Sequence, residues 1–76
     1  MDKLALLNDD LLRAHEVGDL AALVTLYARA GDLALADGDI DAGCFYTTHA
    51  YVFALQDGRA EANDLRAKLV RYGRET

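Results

Sequence analysis

The sequence predicts an all-α domain of about four antiparallel helices, and three features carry that prediction. A glycine paired with an aspartate recurs every twenty residues, at Gly18-Asp19, Gly38-Asp39 and Asp57-Gly58. Apolar residues between these pairs repeat at three- and four-residue spacing, the period of a helix face. None of the 76 residues is proline, so no ring breaks a helical stretch.

Each pair reads as a helix stop followed by a helix start. Glycine takes the left-handed conformation at a helix C-terminus at little cost. Aspartate beside it can accept a hydrogen bond from the free N–H groups of the next helix. The expected helices cover about residues 3–16, 20–37, 40–56 and 60–72, joined by turns short enough to make neighbours antiparallel.

The first helix has Leu4, Leu7, Leu11 and Ala14 on one stripe. The second has Leu20, Leu23, Val24, Tyr27, Ala30 and Ala34 on one face and Thr25, Arg29, Asp32 and Ala36 on the other. That division is amphipathic. The fourth turns Ala62, Leu65, Leu69 and Tyr72 inward and Glu61, Asp64, Lys68 and Arg71 outward, with Asp64 and Lys68 spaced to pair along the helix.

The third helix, IDAGCFYTTHAYVFALQ, is different. One stripe holds Ile40, Cys44, Thr47, Tyr51 and Ala54, and a second holds Phe45, His49, Val52 and Gln56 with Phe53 beside them. A helix that is apolar nearly all round is expected to be buried, or to offer one face to a partner.

A chain of this length is one domain at most. Such small domains bury only roughly 60–65% of the surface exposed by the unfolded chain, so association would add to a thin core. Hydrophobic residues make up 53% of the sequence and the formal net charge is −5. The acidic balance argues against nucleic acid, whose binding rests on Lys and Arg neutralising phosphates. It argues equally against an anionic membrane surface. The longest stretch without formal charge, from Ala42 to Gln56, is too short to span a bilayer. With Cys44 as its only cysteine the chain forms no internal disulfide, and the expected compartment is the cytoplasm.

Residues in LYARAGDLALADGDIDAGCFYTTHAY resemble the tetratricopeptide-repeat family. Tyr27 falls where that repeat carries a large aromatic, and Gly31 where a small residue lets two helices approach. Gly38-Asp39-Ile40-Asp41 resembles the turn within the repeat, and Gly43 and Ala50 fall at small-residue positions of its second helix. The match spans about one repeat. It departs from the pattern in lacking the terminal proline and in having Ala34 where an aromatic is common. The resemblance implies two helical hairpins stacked as a right-handed array, or a small bundle, whose concave face binds peptides or proteins. It also implies that Gly31, Gly43 and Ala50 lie at helix contacts. Which helices pair as hairpins stays open.

Functional groups concentrate on the third helix, in Cys44, Tyr46, Thr47, Thr48, His49 and Tyr51. Cys44 and His49 are about 140° apart around a helix and do not face one ligand position. A metal centre wants three or four convergent ligands, and a Cys–His nucleophile pair wants the thiol beside the imidazole. Neither cofactor nor catalytic residues are therefore expected. The aspartates around Gly38 lack the further ligands of a calcium loop and suit helix N-termini instead.

The expected role is a non-catalytic module that binds another protein or itself, with a homodimer as one form. Its candidate interface is Phe45, Tyr46, His49, Tyr51, Val52 and Phe53, and Tyr46 and Tyr51 cannot face the same way. The alternative is a small metal- or thiol-dependent regulator centred on Cys44 and His49.

Overall fold

The computed structural model describes residues 3–75, with side chains from Leu7 onward. Leu4, expected on the first helix's inner stripe, lies outside the described side chains. The order is α1 (Lys3–Val17), α2 (Leu20–Ala36), α3 (Ile40–Gln56) and α4 (Glu61–Arg71). No strand occurs among the described residues, and the all-α class expected from the sequence is the one observed.

The helix ends follow from local chemistry. Gly18 and Gly38 have φ of +69° and +82°, the left-handed region where a side chain would be strained. The following N–H then reaches back to the last turn: Asp19 N donates to the Ala14 carbonyl at 3.0 Å and Asp39 N to that of Ala34 at 2.9 Å. The same six-to-one bond closes α3, from Arg59 to Ala54, and α4, from Arg74 to Leu69, both at 2.9 Å. The Asp19 carboxylate accepts from Ala22 N at 3.0 Å and the Asp39 carboxylate from Ala42 N at 3.1 Å, so both aspartates cap the helices they precede.

The third punctuation mark behaves differently. In Asp57-Gly58 the aspartate comes first and ends α3, while α4 starts at Glu61 behind Ala60, which supplies no side-chain cap. There Arg59 joins Glu61 at 3.0 Å and Asp57 at 3.5 Å. These carboxylates, Glu61 through its hydrogen bond foremost, raise the Arg59 pKa above its ordinary value.

Neighbouring helices run antiparallel, and α2 packs most extensively on α3. The seam between them is built of small residues. A Cβ added to Gly31 would stand 2.5 Å from Thr47 Oγ1 and 3.1 Å from the Gly43 carbonyl oxygen. One added to Gly43 would meet the Leu35 side chain at 2.5 Å and the Gly31 carbonyl oxygen at 3.2 Å. Only glycine at both positions lets the backbones come this close. Thr47, buried in the seam, donates its hydroxyl to the Gly43 carbonyl at 2.7 Å and leaves no polar atom unsatisfied.

Ala62 and Leu65 of α4 enter the core where Val24 of α2 meets Ala50 and Ala54 of α3. On the opposite flank Leu11 and Ala14 of α1 pack on Leu23. Lys68, spaced to pair with Asp64, instead reaches across to Asp32 of α2 at 2.6 Å. Tyr72, expected inward, is 41% exposed, because it caps α4 just past the last buried residue, Leu69.

The Cα atoms fill a plate of 32 × 31 × 13 Å. Helices pack with axes about 8–10 Å apart, so a plate this thin holds at most two layers and cannot enclose any helix on all sides. The expectation that α3 is buried nearly all round is corrected accordingly. Its inner face is covered, and its outer face is open to solvent.

Candidate functional site

Helix α3 divides by direction. Gly43, Cys44, Thr47, Ala50 and Ala54 are buried. Tyr46, His49 and Phe53 lie half-buried along one shoulder, and Tyr51 lies half-buried against the core cluster that includes α4. The face turned away from the other helices carries Asp41, Phe45, Thr48, Val52 and Leu55, all exposed. Phe45 is 58% exposed, Val52 43% and Leu55 56%. Surface apolar residues are common singly, but these three share one face of α3 within the uncharged stretch from Ala42 to Gln56, Phe45 two turns before Val52 and Leu55 about one turn after it, and form a ridge.

The shoulder beside this ridge is a run of rings. Phe45 lies 4.5 Å from His49 and 5.5 Å from Tyr46, centre to centre. His49 stacks on Tyr27 of α2 at 5.1 Å, and Tyr27 stacks on Phe53 at 5.7 Å. His15 of α1 closes the far end, 5.8 Å from Phe53, and shares a 2.9 Å hydrogen bond with the Tyr27 hydroxyl. Aromatic pairs at these separations add to packing beyond the area they bury. The run therefore holds α1, α2 and α3 in register and fixes the Phe45 ring from behind.

His49 Nδ1 lies 2.9 Å from the Phe45 carbonyl oxygen. A carbonyl only accepts, so Nδ1 donates the proton of this bond. His15 is the member of this cluster that the candidate interface omitted. The spacing signal was present, since His15 follows Leu11 by one turn, but nothing in the sequence tells that α1 reaches α3.

The expected interface residues thus separate. Phe45 and Val52 are on the open ridge; Tyr46, His49 and Phe53 form its shoulder; Tyr51 is on the other flank, toward α4. Neither Tyr46 nor Tyr51 points fully into solvent. Leu55, not among the expected residues, extends the ridge by a turn.

The small residues lie elsewhere, with Gly31, Gly43 and Ala50 all buried in the seam between α2 and α3. Cys44 is only 4% exposed. It sits on the opposite side of α3 from His49 and makes no thiol–imidazole pair. Among the described residues, no group of three or more His, Cys, Asp or Glu converges as metal ligands would.

A second feature is concave. Across α1 and α2, a cavity of about 530 Å³ is lined by Ala14, Val17, Ala22 and Leu26 together with the charged Asp10, Arg13, Asp19 and Arg59. It lies open to solvent, and Arg59 in its lining is held by Glu61 and Asp57.

No helix among the described residues is long and apolar enough to cross a membrane. Comparison with protein-family models, with curated proteins and with solved structures returns no match for this chain.

Proposed function

We propose that this chain is a non-catalytic protein-binding or self-associating module of helical-repeat type, acting in the cytoplasm. The observation that carries the reading is the ridge of Phe45, Val52 and Leu55, exposed on the longest uncharged stretch of an otherwise acidic chain. Aromatic residues in the core of a patch with charges at its rim are the composition of a binding surface. The ring shoulder supports this role, because contacts with Tyr46 and His49 restrict the Phe45 ring before binding and so reduce the entropy lost.

The alternative, a metal- or thiol-dependent regulator on Cys44 and His49, has less to stand on. A buried thiol on an apolar helix behaves as a small hydrophobe, and His49 spends one nitrogen on the Phe45 carbonyl.

The test replaces Phe45 by Glu, which places a charge on the ridge and leaves the seam untouched. Association, whether of the chain with itself or with a protein retained from cell extract, is expected to fall at least tenfold, with the variant still helical and melting cooperatively. Association that survives both Phe45→Glu and Val52→Glu would remove the ridge from any binding role.

A further inference from the structure

We infer that α1 is a displaceable lid: it occupies a groove on α2 and α3, opens as a unit about Gly18, and yields that groove to an amphipathic helix supplied in trans.

The hold on α1 is thin. Of its side chains from Leu7 onward only Leu7, Leu11 and Ala14 are buried. Leu11 and Ala14 rest on Leu23, with Leu20, Leu26, Tyr27 and Phe53 around them. The His15–Tyr27 hydrogen bond that ties α1 to α2 lies exposed. Helix α4 also buries few side chains, Ala62, Leu65 and Leu69. It is pinned besides by Lys68 to Asp32 and, just past its end, by Arg74 to Asp41. Local opening starts where buried apolar contacts are fewest.

The fit of α1 is also incomplete. The cavity of about 530 Å³ borders this contact, with Ala14 and Val17 on the α1 side and Ala22 and Leu26 on the α2 side. Apolar side chains that border open space give up the contacts that would hold the helix down. The seam between α2 and α3 is the reverse case, so close that a Cβ at Gly31 would stand 2.5 Å from Thr47 Oγ1.

The joint is unobstructed. At Gly18, with φ of +69°, nothing beyond its chain neighbours lies within 4 Å of the position a Cβ would take. Rotation there carries α1 off the plate and leaves the α2–α3 seam packed.

The resident helix shows what the groove accepts. Leu7, Leu11 and Ala14 stand at i, i+4 and i+7, the anchor spacing of a helix laid in a groove. A helix in trans with that spacing and a larger residue in place of Ala14 would reach the space α1 leaves unfilled. It competes against a tethered helix at about millimolar effective concentration, so it enters where the hold of α1 is weakened.

Hydrogen exchange of the full chain tests the lid. The amides of Leu11 to His15 are expected to be protected at least tenfold less than those of Thr47 and Ala50. Urea below the unfolding transition is expected to speed exchange in the seam and leave that of α1 nearly unchanged, because opening α1 exposes little surface. One protection and one urea dependence shared by α1 and the seam would overturn the lid, since α1 would then open only with the whole domain. A labelled peptide of residues 3–17 tests the groove. It is expected to bind the Leu11→Ala chain at least tenfold tighter than the wild-type chain. Leu11→Val makes the same comparison with a smaller loss of packing. Equal binding to variant and wild type, or binding to neither, would overturn the use of the groove in trans. Phe45→Glu is expected to leave peptide binding unchanged, and its loss there would place the peptide on the ridge of α3 instead.

Discussion

Gly31 and Gly43 face each other where α2 crosses α3, and a methyl group on either would press tightly on the other's carbonyl oxygen, at 3.1 and 3.2 Å. Everything about the domain's centre follows from that approach. It draws the helices together, buries Thr47 between them, and makes the α2–α3 pair the unit on which α1 and α4 lean.

Gly31→Ala is therefore expected to destabilise the fold, although alanine is the better helix former by about 1 kcal/mol. The new Cβ would meet the Thr47 hydroxyl, itself bonded to the Gly43 carbonyl, and backbone atoms behind it. Overpacking of this kind costs about 1–3 kcal/mol. Gly43→Ala should cost less, since its closest obstacle is the end of the Leu35 side chain, which can turn. Gly43→Leu should disrupt the seam. Urea denaturation of the three variants checks the order, and a stabilised Gly31→Ala would mean that the helices do not approach this closely.

Asp19→Ala and Asp39→Ala should each cost about 0.5–2 kcal/mol, the usual loss on removing an N-cap acceptor. Both carboxylates accept from the third residue of the helix that follows. Substituting Asp57 should cost less, since it caps no helix N-terminus. Thermal melts of the three variants separate the two kinds of aspartate.

Lys68→Met should cost less than about 1 kcal/mol, because the ion pair with Asp32 is solvent-exposed on the Asp32 side. The loss should shrink further as salt is added, through screening. A cost that persists at 1 M salt would point to packing of the lysine stem rather than charge.

The Cys44 thiol should resist modification in the folded protein. It is buried, and a thiol reagent should reach it only as fast as the domain opens. Reaction in native buffer at the rate seen in denaturant would show an accessible thiol and revive the thiol-dependent alternative.

The helices were legible because their punctuation is local. Glycine after the last turn and aspartate before the next act within a few residues, and the observed ends agree with the expected ones to within a residue. The exceptions are physical. Asp57-Gly58 reverses the order of its pair, so α4 lacks the cap the other turns have. The α3 face was not legible, because a hydrophobic residue reads the same whether a neighbour covers it or not. Phe45 and Cys44 are both apolar positions on one helix, and only the thinness of the plate leaves one open and the other closed. Likewise the partner of Lys68 depends on how α4 approaches α2, which spacing along one helix does not encode.

The most direct measurement is the solution mass of the chain by light scattering after gel filtration, over a hundredfold range of concentration, beside Phe45→Glu. The account predicts a mass that rises from one copy toward two in the wild-type chain and stays at one in the variant, which remains folded. A wild-type mass fixed at one copy throughout, or a dimer that Phe45→Glu leaves intact, would contradict it.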